Sequence, residues 1–268
     1  MTYILILIIL MLLYMLFETT LLQKNNIRFS KSSKGLKIAH LSDLHVNHLH
    51  IRKSRIISAL RKISPDVVVI TGDYIETIKD IPKALDLIKE IADIFPVYLS
   101  LGNHDHKALA LSKKSAESFI KQIQETGATV LNNASKSICK NNTAYNLIGI
   151  DDLKKGKPDL EKAFLNIVNT DKSGCVNVAF SHNPDMALLL SKDKVDYFLC
   201  GHFHGGQIWM PFHLEFRILR REKLCKMGLR RGLHKVNGII VYINRGLGNV
   251  LFPLRFLSIP EIAVIHLP

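Results

Sequence analysis

Four cysteines in 268 residues, none in a CxxC pair, leave this chain without a disulfide framework or a thiolate cage for a structural zinc. Cys175 and Cys200 lie in apolar, strand-like runs and read as small buried hydrophobes, which fits a reducing compartment. No internal repeat and no low-complexity tract is present, so one folded domain is the simplest division of the bulk of the chain. Charge is missing altogether from Thr2 to Phe17. No Lys or Arg precedes that run and no A-x-A follows it, which argues against a cleaved signal peptide. With Glu18 as an interruption and Thr19 to Leu22 as an extension, residues 1–22 are expected to form an uncleaved transmembrane helix.

What is abundant is positive charge. The formal net charge is +13, with 22% charged residues, which suggests an anionic partner such as a phosphorylated substrate, a nucleic acid or an acidic membrane surface. Lys24, Arg28, Lys31, Lys34 and Lys37 follow the apolar run. By the positive-inside bias they place residues 23–35, a polar basic linker, and the domain 36–268 on the cytoplasmic side of a single-pass membrane protein.

Beyond the linker, apolar strands alternate with amphipathic helices. Strands are predicted at Leu36–Leu41, Asp66–Thr71 and Val97–Leu101, and helices at Ile51–Ile63, Pro82–Ile94 and Ser112–Thr126, a pattern of an α/β sheet covered by helices. Lys136–Lys140 and Thr143–Ile150 flank Asn141-Asn142 as a hairpin. A helix near Asp159–Val168 and strands at Cys175–Ser181, Val195–Cys200, Gly238–Asn244 and Glu261–Leu267 follow. The basic stretch Leu219–Lys235 reads equally as a substrate-facing lid, a membrane-contacting flap or a solvated excursion.

Chemistry-bearing residues gather at the ends of five predicted strands. Asp43 and His45 are two apart, so in extended chain they point to one side. Gly72-Asp73 follows DVVVIT, where a carboxylate at the carboxyl end of a strand can bridge two cations; Glu76 lies three residues on. Gly102-Asn103-His104-Asp105 offers an amide oxygen and an acid–base group. His182 ends CVNVAFS, and Gly201-His202-Phe203-His204 ends VDYFLC, its two imidazoles again two apart. Each segment alone has an ordinary explanation as a turn, a cap or a core histidine; all five together do not. Carboxylate, amide and imidazole without thiolate suit Mn, Fe, Zn or Ni. His40, His48, His50, His213 and His234 are expected to be ordinary loop or surface histidines.

In order and spacing the five segments, covering Asp43 to His204, resemble the calcineurin-like metallophosphoesterase superfamily, whose pattern is D-x-H, G-D, G-N-H-D/E, H and G-H-x-H. Gly205-Gly206-Gln207, Asn244-Arg245-Gly246-Leu247-Gly248 and Pro253-Leu254-Arg255-Phe256 look like its bacterial membrane-associated phosphodiesterase branch, which includes relatives acting on UDP-2,3-diacylglucosamine. The resemblance implies an α/β/β/α fold, two mixed β-sheets packed as a sandwich flanked by helices. It implies two divalent metal ions, one held by Asp43, His45, Asp73 and His204 and the other by Asp73, Asn103, His182 and His202. His104 would protonate the leaving oxygen, with Glu76, or in competition Asp105, orienting it. Arg245 and Arg255 are candidates for substrate contacts. The expected activity is hydrolysis of a phosphodiester or pyrophosphate bond in a lipid-linked or nucleotide-linked substrate. A nuclease is the alternative, disfavoured by the lack of a basic-and-aromatic stripe, and a non-catalytic scaffold would have lost ligands.

Overall fold

The computed structural model describes residues 1–30, 34–168 and 174–268. Helix α1 (Thr2–Glu18) leads into strand β1 (Gln23–Arg28). Then come β2 (Lys37–Ser42), α2 (Lys53–Ile63), β3 (Val67–Thr71), α3 (Ile81–Ala92), β4 (Val97–Ser100), α4 (Asn103–Leu111), α5 (Ala116–Glu125) and β5 (Thr129–Val130). The second half holds β6 (Ala134–Lys140), β7 (Thr143–Gly149), α6 (Leu160–Phe164), β8 (Cys175–Phe180) and β9 (Tyr197–Cys200). It ends with α7 (Leu214–Leu219), α8 (Lys223–Lys226), β10 (Gly232–Val236), β11 (Ile239–Ile243) and β12 (Glu261–His266).

These strands form two mixed six-stranded sheets, ordered β1-β12-β2-β3-β4-β5 and β10-β11-β9-β8-β7-β6. The central strands are apolar on both faces because both are covered. In β3, Val68 and Ile70 pack towards Ile56, Leu60 and Ile88 of α2 and α3, whereas Val67 and Val69 pack between the sheets with Tyr145, Val178, Phe180 and Leu199. A third core, with Phe198, Met186 and Val241, covers the outer face of the second sheet. The result is the expected α/β/β/α order of layers. The β6–β7 hairpin turns through Asn141 and Asn142 at φ 48° and 63°, the left-handed pair a tight two-residue turn requires.

Two expectations fail. The span assigned to residues 1–22 is a 17-residue helix, about 26 Å long at 1.5 Å per residue, and no helix among the described residues is long and apolar enough to cross a membrane. Glu18 does not merely interrupt an apolar run: its carboxylate is buried against the domain and accepts the backbone N–H groups of Leu257 (3.0 Å) and Ser258 (2.5 Å). The segment 23–35 is not simply a linker, because Gln23–Arg28 pairs in parallel with β12 at the edge of the first sheet; Lys31 lies outside the described residues. The helix expected at Ser112–Thr126 is present as α5, and a helix that was not expected, α4, precedes it from Asn103.

Candidate metal centre

The ligand candidates come from the carboxyl ends of five strands. In the first sheet β2, β3 and β4 are followed by Asp43 and His45, by Asp73, and by Asn103 and His104; in the second, β8 and β9 are followed by His182 and by His202 and His204. The strands end there by an abrupt change of backbone: Asp43, His45, Asp73, His202 and His204 all have positive φ, between 36° and 72°. L-residues pay for this conformation sterically, and at a functional site it re-aims side chains that would otherwise alternate away.

Packing across the site is tight enough to require glycine. A Cβ on Gly201 would stand 1.8 Å from Ser42 Oγ and 2.3 Å from Asp43 Oδ2, and one on Gly102 would stand 2.1 Å from Asp73 Oδ1. These two glycines let the backbone of one loop rest directly on the carboxylates of another.

The structure brings six of the seven ligand candidates together, Asp43, His45, Asp73, His182, His202 and His204, all almost fully buried. Donor atoms of Asp43, His45 and His204 lie within 4.8 Å of one another, as do those of Asp73, His182 and His202. His204 Nε2 is 3.1 Å from Asp43 Oδ1, and His182 Nε2 is 3.0 Å from Asp73 Oδ2. His45 Nε2 lies 3.7 Å from that same Asp73 oxygen, so Asp73 stands between the two groups. Buried His45 Nε2, His204 Nδ1 and Asn103 Oδ1 have no hydrogen-bond partner. Imidazoles clustered on two buried carboxylates, with polar atoms left unpartnered, fit divalent cations, because burial of such groups without compensation is costly.

The electrostatics are those of a buried site with an excess of negative charge. Burial pushes the Asp43 carboxyl up, but the imidazoles of His204, His182 and His45 outweigh it and hold it well below its ordinary range. Asp73 is likewise held down, by His182, His104 and His45 against burial. Burial drives His202 down to about 3 and His204 down to about 4, whereas Asp73 and Asp43 overcome burial at His182 and raise it to about 10.

Backbone and side-chain partners fix the orientations. Ser42 Oγ donates to Asp43 (2.5 Å), the N–H of His202 donates to the same carboxylate, and the N–H of His104 donates to Asp73 (2.8 Å). His182 Nδ1–H donates to the carbonyl of Thr71 (2.9 Å), which turns Nε2 towards Asp73. A histidine that binds a metal through one nitrogen is commonly fixed in this way through the other.

His104 Nδ1 is 2.7 Å from Glu76 Oε2, and the other Glu76 oxygen lies 2.7 Å from His45 Nδ1. Asp105, the competing orienter, is occupied elsewhere: it accepts the N–H groups of Asp73, Tyr74, Ile75 and Gly102 and so ties two strand-end loops together. Burial lowers and Glu76 raises the His104 imidazole, with a net shift upward from 6.5.

Two sequence-based candidates are corrected. Arg255 is fully buried, and its guanidinium donates to the carbonyls of Arg245, Gly246, Gly248 and Ser258 and to Asn249 Oδ1. All its donors are committed to the loops behind the site, so it is a structural residue. Arg245 is paired with Glu261 at 2.7 Å and with Gln23 at 2.9 Å. His40 is no loop or surface residue either: it is buried in β2, bonded to Thr71 Oγ1 at 2.9 Å, and burial drives it down to about 3.

Sequence reasoning missed Glu222. Its buried carboxylate lies 2.8 Å from His202 Nε2 and also pairs with Lys154, leaving His202 Nδ1 turned towards His182. An acid flanked by Arg221 and Lys223 is unusual in composition, but no spacing links it to His202. The basic stretch that contains it is structured. α8 is pinned by the N–H groups of Lys223 and Leu224 to Asp185, and Arg220 lies over the Phe203 ring at 5.7 Å. Together with the loop around Leu251 it walls a cleft of about 450 Å³ that opens on Asp73, His104, His202 and His204, with Ile208, Met210, Phe216 and Phe252 as its apolar lining.

Comparison with known proteins agrees with this geometry. The uncharacterized metallophosphoesterase YkoQ of Bacillus subtilis is 28% identical over 232 residues, covering 85% of this chain and 82% of its own. Phosphodiesterase YaeI of Escherichia coli is 26% identical, covering 89% and 84%. UDP-2,3-diacylglucosamine pyrophosphatase LpxG of Chlamydia muridarum is 28% identical, covering 87% and 83%. The family model for calcineurin-like phosphoesterases matches residues 36–206, which contain every ligand candidate. The chain therefore belongs to the calcineurin-like phosphoesterase family and is a metallophosphoesterase, a hydrolase.

Proposed function

We propose that this site hydrolyses a phosphodiester or pyrophosphate bond in a lipid-linked or nucleotide-linked substrate, using two divalent cations. The observation that carries the reading is the pair of buried donor clusters that meet at Asp73. Asp43, His45, Asp73 and His204 would hold one cation, and Asp73, Asn103, His182 and His202 the other; Mn, Zn, Fe and Ni all suit such donors. When bound, such a pair supplies Lewis-acid stabilisation of phosphoryl charge and lowers the pKa of an attacking water.

The chain's own contributions are positional and protonic. His104 lines the cleft, and Glu76 accepts from its Nδ1, so Nε2 is the nitrogen free to deliver a proton to the departing oxygen. Against burial, the hydrogen bond and charge of Glu76 shift the His104 pKa upward and so favour the protonated ring. The apolar walls at Ile208, Phe216 and Phe252 exclude water and suit an apolar portion of the substrate. A nuclease is less well served, because Arg220 is the single Lys or Arg among the described residues that line the cleft. LpxG, a relative named for a diacylated sugar nucleotide, makes UDP-2,3-diacylglucosamine-like diphosphates the first lipid substrates to try.

The test is turnover of an aryl phosphodiester with added Mn by the wild type and by Asp73→Ala and His104→Ala. Loss of turnover is expected in Asp73→Ala and a smaller decrease in His104→Ala, because an aryl leaving group makes little demand for a proton; wild-type-like turnover in both would falsify the assignment. A screen of phosphomonoesters, phosphodiesters and nucleotide-sugar lipids then ranks the substrate classes.

A further inference from the structure

One end of the molecule concentrates its exposed apolar side chains. Phe212 is 82%, Leu251 81% and Phe252 65% exposed, and the apolar side chains of α1 are open to solvent for most of its length. Outside residues 1–18, residues 209–218 and loop 250–257, the large exposed hydrophobics among the described residues are Leu111, Leu165, Val168, Leu189, Met227 and Leu233. Loop 250–257 connects the parts. It accepts the N–H of Trp209 at Phe256 and the side-chain amide of Gln207 at Val250 and Phe252. It is also held to α1: the N–H of Arg255 donates to the Met15 carbonyl, the Tyr14 ring meets Phe256 edge-on at 6.0 Å, and Glu18 accepts from Leu257. The same loop forms a wall of the cleft at the metal centre.

The charge around this end has one sign. From Gln207 to Lys235 there are eight Lys or Arg and two acids, Glu215 and Glu222. Both acids are buried, Glu215 accepting the N–H of Met210 and Glu222 engaged with His202, whereas Arg217, Arg221, Lys223 and Lys226 are exposed. An apolar patch rimmed by cations matches an anionic lipid surface. A protein groove would cover one face of a helix, but α1 exposes apolar side chains on every side, which hydrocarbon alone covers completely.

We propose that α1, residues 209–218 and loop 250–257 form one docking face for an anionic lipid surface, with the mouth of the cleft opening onto it. What the cleft then receives rests on the lipid-linked reading above; the docking itself does not.

Trp209 is the chain's single tryptophan, partly exposed and bonded to the loop, so its fluorescence reports on this face alone. Full-length protein is added to vesicles of phosphatidylcholine with and without phosphatidylglycerol, some carrying brominated acyl chains. Trp209 emission is expected to shift to shorter wavelength and to be quenched by bromine, more strongly with the anionic lipid. Phe212→Glu with Leu251→Glu should reduce that quenching about tenfold. Arg217→Glu with Arg221→Glu should weaken docking at low salt and match wild type at high salt.

The proposal is overturned by unchanged Trp209 emission on protein that floats with the vesicles, which leaves α1 as sole attachment, or by a shift that grows with protein concentration without lipid, which makes a second copy the occupant. Hydrolysis of a detergent-solubilised lipid diphosphate without Trp209 quenching would likewise reject the docking while retaining the substrate reading. Quenching without hydrolysis of any lipid diphosphate would support the docking and reject that reading.

Discussion

The two sheets bring different chemistry to the same place. The first contributes both carboxylates, the amide of Asn103 and one imidazole, His45; the second contributes only imidazoles, His182, His202 and His204. The carboxylate half is held by donors, among them Ser42 Oγ and the N–H groups of His202 and His104. The imidazole half is held by acceptors, the Thr71 carbonyl and Glu222. Two of these contacts cross between the halves, so each sheet orients the other's ligands. One half therefore supplies charge, and the other supplies neutral donors that complete a cation site without adding more negative charge to a buried space.

Substitutions on the two sides should differ in size. Asp73→Ala removes the group shared by both clusters and should lower kcat/KM by at least about 10³-fold, with fewer metal ions per chain by elemental analysis. His202→Ala should cost less in both measurements; equal losses would break the asymmetry.

His104→Gln tests a residue on the carboxylate side that is assigned protons rather than metal. Activity should fall by roughly 10²–10⁴-fold at unchanged metal content, and the deficit should shrink with a nitrophenolate leaving group, which needs no proton. A deficit independent of the leaving group would remove the acid role.

On the imidazole side, Glu222→Gln keeps the shape of the carboxylate and removes its charge. Metal affinity, read by competition with a fluorescent chelator, should fall by roughly 10–100-fold, and a wild-type value would make Glu222 a mere tether for α8.

The smallest effect is expected from His106 and Asp151, a pair 2.6 Å apart that joins α4 to the loop after β7 across the two halves. Burial lowers His106, but the hydrogen bond and charge of Asp151 raise it above 6.5 overall. The raised pKa adds stability that is complete below 6.5 and fades as pH climbs through the folded value. Asp151 is depressed, chiefly by His106 and despite burial, so its share is lost only as pH drops through its lowered pKa. The melting temperature of wild type should therefore exceed that of His106→Asn by a margin that narrows from pH 6 upward. A margin constant with pH would mean that packing, not charge, makes the contact.

Legibility in the sequence followed locality. Each ligand candidate except Asn103 ends a short apolar strand in a turn, and strand, turn and donor type are all local features. Asn103 and His104 look like a loop but open α4, because the helix is set by what Asp105 binds across the site rather than by its own pattern. Gln23–Arg28 has no alternating apolar residues and becomes a strand only by pairing with β12, over two hundred residues away. Arg255 shows the same limit in a side chain: an arginine that feeds four carbonyls and one that grips a phosphate are identical in sequence. Glu222 belongs to His202 only through the folding of α7 and α8.

The left-handed backbone at Asp43, Asp73 and His202 has a consequence for how such a chain can change. Glycine adopts that conformation without strain, and at these positions relief is worth up to roughly 1 kcal/mol or more. Glycine substitutions there thus gain in backbone energy while they lose chemistry. Decay of the enzyme into a stable, inactive relative would run partly downhill, and only selection for turnover keeps these strained residues in place.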